Sequence, residues 1–222
     1  VGQAYVFKFL WSPMMDRYTP PFLGRRRGWL LVTQLALIVG IVAMGFMQPS
    51  RDLTLLAALA VLVAFCSASQ DIVFDAWKTD VLPPEERGSG AAITVLGYRL
   101  AMLISGGLAL WLADRYLGWQ ATYWLMALLM VPGLIATLLA REPEAPVREP
   151  HSLRQAVAFP LKDFFQRNNA WLLITLIILY KLGDAFAASL TTTFLIRGVG
   201  FSAGDVGLVI KTLGLLATII GA

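Results

Sequence analysis

One cysteine, Cys66, and one histidine, His151, stand in 222 residues. That scarcity excludes much chemistry before any residue is placed. A lone cysteine forms no internal disulfide, and Cys66 reads as a small packing residue. Metal centres and nucleophilic enzymes need clustered Cys and His or a nucleophile beside its base. No Cys/His cluster, Ser/His arrangement or glycine-rich phosphate loop is present, and His151 reads as a solvated linker residue. No cofactor and no metal are therefore expected. Charge is also sparse, at 14% of residues, while 58% are hydrophobic and the mean hydropathy is +0.69. A water-soluble fold of this length could not bury so much apolar surface, so the solvent is lipid.

Long hydrophobic runs, by contrast, abound. A hydrocarbon core about 30 Å thick needs roughly 20 apolar residues of helix. Residues 28–47 and 119–139 meet this without any charge. Residues 53–74, 88–112, 170–196 and 206–222 also qualify, each with at least one ionisable residue, and 1–11 resembles part of another span. The fold class expected is all-α, a polytopic transmembrane helix bundle. Spans recur to the last residue, unlike a cleavable signal peptide. The chain reads as an internal piece of a longer protein, with one span expected upstream and several downstream.

Basic residues alternate by loop. Arg17, Arg25, Arg26 and Arg27 share one loop, Lys78 and Arg87 a second, and Arg141, Arg148, Arg154, Lys162 and Arg167 a third, whereas the opposite loops hold only Arg51, Arg115 and Arg197. Loops rich in Lys and Arg mark the cytoplasmic side. The net charge of +4 is this asymmetry summed, so no nucleic acid is needed to explain it. Three regions follow: a helix bundle over 1–140, a Pro-rich and charged linker over 141–168, and the start of a second bundle over 169–222. In the linker, Ser152 is placed to cap a helix whose Leu153, Val157, Leu161, Phe164 and Phe165 recur at helical spacing. That helix would lie on the inner membrane surface, interrupted or kinked at Pro160.

Charge inside a span costs at least about 2.5–3.5 kcal/mol, so such residues face a partner or a watery cavity. Asp71, Asp75 and Lys78 are spaced four and three apart on one helical face, with Ser67 a turn earlier and Gln70 about 100° away. Two carboxylates one turn apart repel and tend to hold one proton between them, which suits a proton-coupling role for Asp71 and Asp75. Arg99 beside Tyr98, and Lys181 with Tyr180 and Asp184, lie deep in their spans. Lys8 and Lys211 are the other basic residues within spans. Buried cations favour an anionic ligand, and Trp77, Tyr98 and Tyr180 suit a sugar ring. Structural ion pairing and aromatic packing are the competing readings.

If the partial first span is numbered two, spans three and six are the uncharged ones, as in the peripheral helices of the major facilitator fold. Ser12-Pro-Met-Met-Asp16-Arg17, followed by Gly24-Arg25-Arg26-Arg27, resembles that superfamily's loop motif, with serine in place of the usual glycine and a stretched gap. The run from Ala64 to Asp80, the Glu85-Glu-Arg-Gly loop, Leu96-Gly-Tyr-Arg99 and Tyr180-Lys-Leu-Gly-Asp184 resemble the muropeptide permease family of the Gram-negative inner membrane. The resemblance implies a partial major facilitator fold covering spans two to eight. It also implies proton-driven import of anhydromuropeptides for cell-wall recycling, linked to induction of β-lactamase. Expected partners are the muropeptide, protons and the lipid bilayer. By the same resemblance, Gln70, Tyr98, Arg99, Tyr180, Lys181 and Asp184 would bind substrate. Arg99 and Lys181 would hold its carboxylates, and Asp16, Arg17, Arg25 and Arg26 would form a gating loop. Two alternatives stand beside this: a carrier of another anion such as acetyl-coenzyme A or a sugar phosphate, and a membrane-embedded enzyme. The predicted arrangement places the uncharged spans at the lipid-facing periphery. It also packs the span rich in small residues, 88–112, tightly against a neighbour, with Arg99 pointing inward.

Overall fold

Twenty-two residues with neither proline nor interior charge form the helix around which the first part of the chain assembles. In the computed structural model, which describes residues 3–143 and 152–200, this is α3, Arg25–Phe46. It is preceded by α1 (Gln3–Phe7), a 3-10 turn at Lys8–Leu10 and α2 (Ser12–Arg17). It is followed by α4 (Leu53–Val81), α5 (Arg87–Met102), α6 (Ala109–Leu112), α7 (Gly118–Leu128) and α8 (Val131–Leu139). Leu30, Thr33, Gln34, Leu37 and Gly40 are buried at three- and four-residue spacing, while Leu35 and Val39 face outward. The buried stripe packs against α4, α7 and α8. Two glycines let the neighbours come close. A Cβ on Gly40 would sit 2.7 Å from Val63 Cγ2, and one on Gly45 would sit 2.9 Å from the Trp124 indole nitrogen. The opposite face, with Leu35 and Val39, remains exposed and open to lipid. α3 is the hub of the first unit, with 33% of its apolar window buried against 17% for α4. Lack of charge says only that a helix tolerates an apolar environment, and protein supplies one as well as lipid does.

The span predicted at 88–112 also departs from expectation. None of the residues of α5 is buried, and a Cβ on Gly88, Gly97, Gly106 or Gly107 would meet nothing within 4 Å. Only Gly90 has a near neighbour, Leu82. Small residues permit close approach but supply no attraction of their own. One π-helical turn, Leu103–Leu108, lies within this span and a second, Ala113–Leu117, follows it, so the helix is widened on both sides of α6. The helical run from Pro84 to Leu139 changes direction at Gly118, whose φ of 68° and ψ of 171° suit a residue without a side chain. α8 begins with proline within its first two positions, where a missing N–H costs nothing.

Among the described residues, four helical stretches are long and apolar enough to cross a membrane: Arg25–Phe46, Leu53–Val81, Pro84–Leu139 and Ala170–Ala187. The chain divides into two compact units, Val1–Val157 and Ala158–Ala222, within the stretch 141–168 that the sequence marks as linker. The linker helix is α9, Leu153–Gln166, and the Gln155 N–H donates to Ser152 Oγ at 3.2 Å, the predicted cap. Pro160 does not interrupt it; one missing N–H leaves the rest of the hydrogen-bond ladder in place. The second unit contains α10, Ala170–Thr193, ending in a π turn, Phe194–Gly198. The span expected at 206–222, with Lys211, lies outside the described residues, as do His151 and the side chain of Asp184.

Candidate functional site

Tyr5, Lys8 and Trp11 follow one another at three-residue intervals, which brings them to one side of the first helical segment. That side meets α4. Tyr5 Oη and Ser67 Oγ are 2.6 Å apart, Lys8 Nζ donates to Asp71 Oδ2, and Trp11 Nε1 donates to Ser69 Oγ at 3.0 Å. The indole of Trp11 also packs on Phe65, with ring centroids 4.8 Å apart. Below the seam, Met15, Leu30 and Val73 form a small core with Trp29 and Trp77 against it. Asp71 lies ten residues before the end of α4 at Val81, within a helix long and apolar enough to cross a membrane. The side chains of Lys8 and Asp71 remain 33% and 42% exposed.

Asp75 does not join this pair. It bonds Lys78 at 2.9 Å, and the Lys78 ammonium lies 5.0 Å from the centroid of the Phe74 ring. These two residues line a cavity of about 300 Å³ with Arg87, whose guanidinium donates to the Thr79 and Leu82 carbonyls. The two carboxylates expected to share a proton thus each have their own ammonium. Gln70 points elsewhere. It lines a cavity of about 280 Å³ with Gln34, Trp77 and Thr137, and its buried Oε1 has no hydrogen-bond partner. The Oε1 of Gln34 is likewise unpartnered, and its Nε2 donates weakly to Gly133 O at 3.5 Å.

Arg99 is half-buried, and its Nε is enclosed without a partner, whereas Tyr98 is exposed. Lys181 and Tyr180 belong to the second unit, with the ammonium 5.7 Å from the centroid of the Tyr180 ring.

At the end of α4 near Val81 the basic loop closes into a network. Arg26, 9% exposed, donates from Nη1 to Asp16 Oδ1 and from Nε to Asp80 Oδ2, both at 2.9 Å. Arg25 donates to the Asp16 carbonyl at 3.1 Å, while Arg17 lies over the Tyr18 ring instead. Glu142 caps α3: its two oxygens accept the Arg26 and Arg27 backbone N–H groups at 2.8 and 3.0 Å. A carboxylate at this position satisfies orphan donors and the helix dipole together. Gly24, at φ 81°, makes room for it, since a Cβ there would lie 2.7 Å from the Glu142 carboxyl carbon. Arg27 reaches the carbonyls of Thr137 and Leu138 at the end of α8, and Trp77 Nε1 donates to the Arg141 carbonyl at 3.1 Å. The expected loop residues Asp16, Arg25 and Arg26 thus converge. Lys8, Asp80 and Glu142 are the partners the sequence did not single out. For Lys8 a signal existed: a cation in an apolar stretch, flanked by Tyr5 and Trp11 at helical intervals. For Asp80 and Glu142 none existed, since they lie 54 and 116 residues from Arg26.

Several helices long and apolar enough to span, with an ion pair between the first helical segment and α4, define a polytopic membrane protein. The chain matches the family described as Major Facilitator Superfamily over residues 3–222, and it belongs to that family. It is 75% identical over 222 residues to the anhydromuropeptide permease of Escherichia coli K12, covering all of this chain and 45% of that protein. It is 42% identical over 221 residues to an uncharacterized protein of Haemophilus influenzae, covering 97% of this chain and 52% of the relative. A Rickettsia felis protein named as transporter AmpG 4 is 32% identical over 228 residues, with 98% and 55% covered. The chain spans about half the length of these curated relatives.

Proposed function

We propose that the full-length protein is a secondary transporter, not an enzyme, that imports anhydromuropeptides across the bacterial inner membrane on the proton gradient. The substrate assignment is supported by the identity to a named anhydromuropeptide permease. The observation that carries the mechanism is the Lys8–Asp71 pair, a carboxylate on a membrane-spanning helix that is ion-paired and yet half-exposed. A group so placed can accept a proton from one side and release it to the other when its pairing changes. In this reading Asp71 is the proton-coupling acid, and Asp75, nearer the cytoplasm and paired with Lys78, passes the proton on. Arg99 and Lys181 hold substrate carboxylates through charge-assisted hydrogen bonds, with Tyr98, Tyr180, Gln70 and Asp184 completing the contacts. Asp16, Arg25 and Arg26 latch the cytoplasmic end, with Arg17 at the rim. Uptake of labelled anhydromuropeptide into vesicles bearing the full-length protein is expected to collapse when an uncoupler is added. Undiminished uptake would refute the coupling. Asp71→Asn keeps size and polarity but cannot cycle a proton, so it should abolish uphill accumulation while leaving insertion intact.

A further inference from the structure

Asp71 has a single ionic partner among the described residues, and that partner comes from another segment of the chain. The other charged groups on the packed elements are engaged elsewhere or lie apart. Asp75 and Lys78 pair with each other, Arg26 is held by Asp16 and Asp80, and Arg87 binds backbone carbonyls. Arg99 has no ionic partner on α4, and the Tyr5 hydroxyl is bonded to Ser67. Neutralising Asp71 would therefore leave the Lys8 ammonium without an anion against a membrane-spanning helix, where an uncompensated charge is unfavourable. The half-exposed geometry leaves room for a replacement anion.

We propose that Lys8 is a gated carboxylate-binding residue, held by Asp71 while that acid is ionised and released to a carboxylate of the substrate's peptide when Asp71 is protonated. The proposal rests on the muropeptide reading above. The Asp71 carboxylate takes a proton and becomes a neutral acid. The Lys8 ammonium keeps its protons and exchanges one carboxylate for another, so the site holds one cation and one anion throughout. Loss of the proton on the cytoplasmic side restores the Asp71–Lys8 pair and displaces the substrate carboxylate. Proton and carboxylate thus favour each other's binding, and the coupling is reciprocal.

The test uses purified full-length protein and anhydromuramoyl-tripeptide, as the free acid and with its carboxyl groups amidated. Binding is measured at acidic and at mildly alkaline pH. Wild-type protein should bind the free acid about tenfold more tightly at acidic pH and should prefer it to the amide. Asp71→Asn should bind the acid tightly at both pH values. Lys8→Gln should bind weakly at both and treat acid and amide alike. Should Lys8→Gln fold poorly because Asp71 is left unpaired, Lys8→Gln with Asp71→Asn removes both charges and carries the same expectation of weak, pH-independent binding. A Lys8 variant that keeps the preference for the acid overturns the assignment, as does wild-type protein that binds acid and amide alike, and the muropeptide reading survives either result. Wild-type protein that binds neither form overturns both.

Discussion

Arg26 shows why residue type matters at the cytoplasmic network. Its Nε and Nη1 reach two carboxylates, on Asp80 and Asp16, from a guanidinium that is itself buried while Asp16 is half-exposed. A lysine ammonium is a single point and cannot reproduce that fork. Arg26→Lys should therefore lower the thermal unfolding midpoint of the full-length protein, and Arg26→Leu should lower it further, with a loss of stability of about 1–2 kcal/mol, because two acids are then left uncompensated. Glu142 acts on the same helix end from the other side. Glu142→Gln keeps one of the two acceptors, turns an amide NH2 toward the other N–H and loses the charge, and a loss of about 1 kcal/mol of stability is expected, read as a lower midpoint in the same measurement. Lys8 belongs at this scale too: one methylene-chained ammonium reassigns Asp71 from a partner of Asp75 to half of an ion pair between segments.

At the scale of elements, α3 is defined by what its glycines allow. Gly40 faces Val63 so closely that a single methyl at position 40 must push α3 and α4 apart. Gly40→Ala is expected to destabilise the protein by about 1–3 kcal/mol, as overpacking does. Val63→Ala should restore most of that loss in the double variant, since it removes the methyl that is struck, and equal effects with and without Val63→Ala would refute the contact. α5 offers the opposite lesson. Its small residues were legible as a packing surface, yet among the described residues Gly88 and Gly97 meet open space while Gly90 meets Leu82, because periodicity specifies a face and not its neighbour. The cap of α9 by Ser152 was legible from spacing alone, being local, whereas the continuity of that helix through Pro160 was not.

For the whole molecule, the basic loops predict orientation, and this can be checked without any substrate. In a Cys66→Ala background, Gln48→Cys lies in a loop poor in Lys and Arg, and Glu85→Cys in one that follows Lys78. A membrane-impermeant thiol reagent applied to intact cells should label position 48 and spare position 85 until the membrane is permeabilised. The reverse pattern would invert the topology and, with it, the direction of transport assigned above.

The helical class follows from one-dimensional properties of the chain. Length and apolar content set whether a stretch can cross hydrocarbon, which requires no knowledge of what touches what. The convergence of Asp16, Arg25 and Arg26 was foreshadowed by a short motif for a similar reason, since those residues are within ten positions of one another. Pairing between spans is different. Lys8 meets Asp71 across 63 residues and Glu142 meets Arg26 across 116, and helical periodicity is silent about separations beyond its own turn. Gln70 and Asp71 are adjacent in the chain yet serve different surfaces, one a cavity shared with Gln34 and the other an ion pair with Lys8. Which buried charge finds which partner is decided by how helices lean on one another, because the cost of an unpaired charge in the membrane can be met by any partner that packing brings within reach.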